Sequence, residues 1–243
     1  MTQAQPQGGF LSNLAFNIII PVLILMKFSG PEHLGPAWGV VIALAFPVSY
    51  GLYDLNRTRK INGFSILGIV SVILTGGISL LELDPQYIAI KEAAVPGLIA
   101  VAVLVSHFTR FPLIKKLLMN DKVIDTDKLY AAIAERNTQG AFNRVLKIAT
   151  FLVAGAFFLS AVLNYVLARL IVVSPAGTVE FNNELGRMTA LSFPVIALPT
   201  MLVMFTAIFY LFYQMKKLTG SSVENFLRNQ PTAKDEQSTD GPT

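Results

Sequence analysis

Ionisable side chains are scarce in this chain, so the few beside or within apolar runs have the most chemistry to offer. Lys91 and Glu92 are adjacent, just ahead of the run AAVPGLIAVAVLVSHF. An ammonium and a carboxylate there can pair with each other, hold an anionic lipid, or line the mouth of a cavity. Asp54 follows Tyr50 and Tyr53, with Arg57 three positions on, a spacing that suits a local helical ion pair. His107 and Arg110 close another apolar run. A proton relay from His107 to Asp54 is the sharper alternative to that ion pair. Asn17 and Asn164 lie inside apolar runs, where an amide needs a partner. The plain reading is a bond between helices, even to each other; the functional one is contact with a substrate. Arg187, just before the last apolar run, joins Lys91 as a candidate for an anionic headgroup.

Other features argue against familiar catalytic sites. Thr75-Gly76-Gly77 lacks the Gly-Lys-Ser/Thr ending of a phosphate loop, so Gly76 and Gly77 read as small residues that let helices approach. There is no cysteine, which excludes disulfides, thiolate metal sites and a cysteine nucleophile. The two histidines, His33 and His107, have no zinc-site spacing. No nucleophile elbow or converging acid pair occurs, so neither catalysis nor a cofactor is expected. Pro21, Pro47, Pro96, Pro194 and Pro199 interrupt apolar runs, each removing a backbone donor. Pro194 and Pro199 together should bend the last run.

The elements that must position these residues follow from composition. Of 243 residues, 53% are hydrophobic and 14% charged, and the mean hydropathy is +0.57. Soluble domains carry about 25% charged residues. The pattern predicts an all-α integral membrane protein with a six-helix bundle. The spans are expected at about Phe10–Phe28, Ala37–Tyr53, Gly63–Leu81, Ala93–Phe108, Val145–Val173 and Leu191–Met215. The stretch 83–90 then reads as a short turn. The start, MTQAQPQGG, has no basic n-region, so the first span reads as retained. With both termini inside, fifteen lysines and arginines fall on the cytoplasmic side and four outside. That bias orients the bundle. The net charge of +4 therefore reflects topology, and no nucleic-acid partner is expected.

One domain, residues 1–219, is expected, with a cytoplasmic helical insertion at 111–144 and a polar tail at 220–243 that is largely disordered past Arg228. FPLIKKLLMND reads as an interfacial helix. DTDKLYAAIAER reads as a second helix, capped by Asp125 or Thr126 and ended by Gly140. ALAFPV at 43–48 returns as ALSFPV at 190–195. The same offset pairs Asn17 with Asn164, so spans one–two and five–six read as a duplicated hairpin, an alternative to chance likeness between apolar helices.

YDLNRTRKINGFSIL, LTGGISLL, Lys91, FPLIKKLL and FNNELGRMTAL follow one another in an order that resembles the bacterial inner-membrane family called intracellular septation protein A, closest to its longer branch. The likeness runs from about Leu14 to Tyr213 with gaps. It implies a multi-pass protein of the bacterial inner membrane linked to envelope maintenance and division, with no catalytic activity. Partners would be the lipid bilayer and division or wall-synthesis membrane proteins; the insertion near 120–144 departs from the family. The expected function is a scaffold for that machinery, acting through the cytoplasmic loop. The alternative is a small transporter or channel for a lipid or solute, with Asn17 and Asn164 lining a polar cavity.

Overall fold

The computed structural model describes residues 14–58, 63–109 and 124–226. Among them the secondary structure is helical, with no strand. The helices are α1 (Ala15–Phe28), α2 (Gly35–Thr58), α3 (Gly63–Leu80), α4 (Gln86–His107), α5 (Thr126–Glu135), α6 (Gln139–Ile171) and α7 (Val179–Thr219), followed by a 3-10 turn at Val223–Phe226. Hydrocarbon cannot solvate a free peptide group, so long apolar runs satisfy their backbones internally as helices. Four are long and apolar enough to cross a membrane: α2 over Gly35–Tyr53, α4, α6 and α7. The two remaining expected spans are shorter apolar helices over Ala15–Phe28 and Val70–Leu80.

The helix boundaries depart from the hydropathy reading at three places. The turn expected over 83–90 shrinks to 81–85, because Asp84 Oδ1 accepts from Gln86 N at 2.8 Å and starts α4 there. The last apolar run begins not at Leu191 but at Val179, where the Thr178 hydroxyl accepts from Phe181 N at 3.1 Å. Gly140 does not end a helix. The chain turns at Asn137, which adopts a left-handed φ of 53°, and Gly140 already belongs to α6. Asp125 is the cap of α5, accepting from Lys128 N at 3.1 Å. The FPLIKKLLMND helix and the tail beyond Phe226 lie outside the described residues.

Two helices change pitch. In α1, Ala15–Ile19 and Ile24–Phe28 are π-helical and flank Pro21. In α7, Phe193–Ala197 is π-helical around Pro194, and Leu198 N reaches back to Phe193 O. A proline cannot donate, so the ladder shifts to its next acceptor. The Thr200 hydroxyl donates to Ile196 O and Ala197 O one turn on. Pro47 and Pro96, by contrast, sit within unbroken α-helices. The suggested repeat is therefore not matched locally. Ala43 and Pro47 lie in regular helix with Ala43 buried, while Ala190 is exposed and Pro194 opens a π turn.

The chain forms two compact units. The first comprises Met1–Leu98 and Phe157–Thr200, the second Ile99–Ala156 and Met201–Thr243. The first unit has a core of Leu25, Val40, Ala43, Ile78, Ile88, Phe181, Leu185 and their neighbours. Its connections 29–34, 81–85 and 172–178 gather at one end. Asn182 Nδ2 donates to Pro36 O at 2.8 Å, and Gly177 lies against Glu82, whose Cγ would stand 2.9 Å from a Cβ there. Gly177 has a φ of 83°, so both its backbone and its surroundings exclude a side chain.

The second unit is built differently. Leu129 and Ile133, one turn apart on α5, are buried with Phe142, Val145 and Leu146 of α6, Leu211 and Met215 of α7, and Phe226. Asp125 N donates to Phe226 O at 2.7 Å, so residues 223–226 pack here rather than joining a polar tail from 220. The Thr138 hydroxyl donates to Leu218 O at 3.3 Å. Gly220, with φ 68°, ends α7, and the Arg136 guanidinium occupies the space a Cβ would need.

Candidate functional site

The hairpin of α3 and α4 holds the most unusual polar group of the described residues. Because α4 starts at Gln86, Lys91 is its sixth residue and lies inside the helix rather than in a loop. Its side chain is 8% exposed. The ammonium donates to Glu92 Oε1 at 2.6 Å, to Thr75 Oγ1 at 2.9 Å and to Ser71 Oγ at 3.2 Å. A lysine has three protons to donate, so all three are used. The Thr75 hydroxyl passes its own proton to Ser71 O at 2.9 Å. Ser71 and Thr75 are four apart and share a helix face, which lets one ammonium meet both.

The direction of this side chain matters. Lys91 lies about 8 Å along α4 from its start, whereas Ser71 lies about 14 Å along α3 from the same hairpin end, at 1.5 Å per residue. The ammonium therefore reaches away from the connection and deeper along the hairpin. A lysine near a span end ordinarily extends outward to the interface. Here Glu92 and two hydroxyls replace water as its solvent. The Glu92 side chain is 28% exposed, so the pair is closed on the lysine side and open on the carboxylate side. A buried pair of this kind offsets its desolvation cost only when its remaining polar atoms are satisfied.

The surrounding glycines have unequal roles. A Cβ on Gly76 would stand 3.2 Å from Leu44 Cδ1, so Gly76 lets α3 approach α2 beside Thr75. Gly77 faces open space.

The other candidates do not join this cluster. Asn164 Nδ2 donates to Ser160 O at 2.8 Å and Ser160 Oγ at 3.3 Å within its own helix turn, not across to another helix. Asn17 is half-buried in the π-helical turn Ala15–Ile19. Arg187 is exposed on α7, nearly two turns before the π segment that contains Pro194. The His107 ring packs on Phe108 and Phe151. Arg110 and the Asp54 side chain lie outside the described residues, so the Asp54 ion pair and relay find no geometry here. No group of three or more histidines and acids that could hold a metal occurs among the described residues.

Three residues that hydropathy reading passed over organise the same unit. Asn182 is 0% exposed and ties the start of α7 to the start of α2. The Glu184 carboxylate accepts from Val173 N, Ser174 N and Ser174 Oγ at 2.7–2.9 Å, holding the end of α6. Gly186 lies against α1, where a Cβ would stand 2.8 Å from Met26 Cγ and 3.4 Å from Val22 O. The available signal was Thr178, a helix-capping residue three positions before Phe181. The loop reading of 174–190 concealed it. No family model, curated protein or solved structure matches this chain.

Proposed function

We propose that this chain is a six-span protein of the bacterial inner membrane, with both termini in the cytoplasm, that acts as a non-enzymatic scaffold for envelope or division machinery. The order of its sequence motifs supports the family reading, and the bias of basic residues supports the orientation. The observation that carries the scaffold role is the second unit. At 1.5 Å per residue, α6 is about 50 Å long and α7 about 60 Å, against a hydrocarbon thickness of about 30 Å. Both have length to spare beyond the bilayer. Around Phe142 and Met215, α5 and residues 223–226 pack into a small polar-faced module. Gln139, Asn143, Arg144 and Lys147 are exposed on α6. A packed module with an exposed polar and basic face suits protein docking better than it suits a solvated link.

A photo-crosslinking amino acid at Asn143 tests this in living cells. The scaffold reading expects discrete adducts with membrane proteins of division or wall synthesis, abolished by Arg144→Glu with Lys147→Glu. Full envelope phenotype in that charge-reversed double variant, with no adduct lost, overturns it. The absence of native cysteine lets single cysteines at Glu32 and Asn143 report the topology in the same cells.

One observation favours the transporter reading: Lys91 and Glu92 lie about one and a half turns inside a helix that is otherwise apolar. Intramembrane charge often marks an ion or substrate path. Loss of phenotype in a stably folded Lys91→Met variant, with the Asn143 adducts intact, would favour it.

A further inference from the structure

No charged residue lies between Arg187 and Lys216 along α7, and Lys217 follows directly. Phe209, Phe212 and Tyr213 precede Lys216 by about two turns, four residues and three residues, so all four share one face of the helix. That face is open: Phe209 is 70% exposed, Phe212 42% and Tyr213 68%. Lys216 and Lys217 are exposed at its end. Gly220 N then donates to Lys216 O at 2.9 Å, and the Arg136 guanidinium lies against Gly220. The Thr138 hydroxyl, donating to Leu218 O at 3.3 Å, ties the connection that carries Arg136 to this end of α7. The guanidinium is thus placed about one turn, roughly 6 Å, beyond Lys216. Among the described residues, none of the Arg136, Lys216 and Lys217 side chains has an ion pair or a hydrogen bond.

We propose that Arg136, Lys216 and Lys217 bind the phosphate of one anionic membrane phospholipid, whose acyl chains lie along Phe209, Phe212 and Tyr213. Charge selects an anion. Three neighbouring cations have no acid partner, and each gains by sharing one. A guanidinium offers a phosphate two parallel donors, and the ammonium of Lys216 can reach a further oxygen of the same group. Continuity selects a lipid. The charged end and the exposed aromatic face are one surface, on a helix long and apolar enough to cross a membrane. A soluble acidic partner would cover the cations and leave Phe209 and Tyr213 bare. A phospholipid covers both at once. Depth agrees, because a tyrosine one turn before a lysine pair marks the boundary where headgroups lie and where basic side chains attract anionic ones. The site rests on α7 crossing a membrane. It does not depend on the scaffold role, and it uses neither Arg144 nor Lys147, on which that role is tested.

The test offers the full chain, in detergent, equal amounts of phosphatidylglycerol and phosphatidylcholine with matched acyl chains. Native mass spectrometry then counts the lipid retained. One phosphatidylglycerol should be kept about tenfold over phosphatidylcholine, the ratio that 1.4 kcal/mol of preference produces. Arg136→Gln with Lys216→Gln should bring that ratio close to one while helix content stays unchanged. If the double variant does not fold, Lys216→Gln alone should lower the ratio to about threefold, and Lys216→Arg should restore it. Arg144→Gln with Lys147→Gln should leave it near tenfold. An equal loss in that control would show a diffuse basic surface and overturn the site. So would an undiminished preference in the Arg136 and Lys216 variants. Displacement of the lipid by millimolar inorganic phosphate would show a site for free phosphate and would overturn the lipid as its occupant.

Discussion

The first unit and the α5 module of the second solve the folding problem with different materials. In the α5 module, large side chains are inside and polar ones outside. Phe142 is 2% exposed and Ile133 0%, while Asp127, Lys128, Asn143 and Arg144 face outward. Along α4, α6 and α7 the second unit exposes Val101, Phe151 and Leu202, as the first unit exposes its own apolar residues. The first has apolar residues on both sides. Val40 and Ile88 are fully buried, yet Trp38, Ile73 and Leu98 are each about two-thirds exposed. It also holds the buried Lys91 ammonium and Asn182, and the Glu184 carboxylate caps the 173–174 backbone at its edge. Water drives burial only where it touches the protein. Against hydrocarbon, helix association depends on close packing and polar bonds instead. The comparison teaches that this chain uses apolar residues as a solvent match along its long apolar helices and as a folding force in the α5 module.

The comparison can be broken by mutation, and the largest effect belongs to the second unit. Phe142→Ala should cost about 3–5 kcal/mol, as for a buried aromatic in a water-facing core. Urea unfolding of the purified protein, followed by proteolysis within 124–147, reads it. An effect below that of a lipid-facing control such as Phe158→Ala would mean that the module is not held by hydrophobic burial.

The next effect sharpens the contrast on the polar side. Lys91→Met leaves the Glu92 carboxylate without its partner and should cost about 2–4 kcal/mol, the lower end reflecting the partial exposure of Glu92. The double change Lys91→Met with Glu92→Gln should recover much of that loss, because no unpaired charge remains. Thermal unfolding in one detergent compares the three proteins. Equal destabilisation by the single and double changes would show that the two charges do not act as a pair.

The smallest effect concerns helix approach. Gly186→Ala should destabilise by about 1–2 kcal/mol, since a Cβ would meet Met26 and Leu25. Gly77→Ala, in open space, should be neutral or slightly stabilising through better helix propensity. The same melting assay orders them. A neutral Gly186→Ala would mean that α1 can shift without loss, against close packing as what holds it.

Much of the helical plan was legible in the residues. Long apolar runs specify helices because peptide groups in hydrocarbon must bond internally. Asp125 was readable as a cap, and the DP pair at 84–85 carried the signal for the start of α4, though the hydropathy drop drew the boundary later. The start of α7 was hidden for the same reason. Residues 179–190 are polar enough to resemble a loop, but Asn182, Glu184 and Gly186 turn that polarity and smallness inward against α2, the 173–174 backbone and α1.

What the sequence by itself indicated is therefore the preferred surroundings of each segment: hydrocarbon along the long apolar runs, water at 124–144 and near 216–217, and helix wherever a backbone had no other partner. Only the tertiary structure decided which polar groups meet. Lys91 was expected at a surface, and Asn164 was expected to bond another helix. Instead the ammonium turns along the hairpin to Ser71 and Thr75, and the amide folds back on Ser160. The physical reason is range. Hydropathy is a local property of each residue. A hydrogen bond in low dielectric depends on which helix faces bring donors and acceptors within about 3 Å, and that is settled by packing.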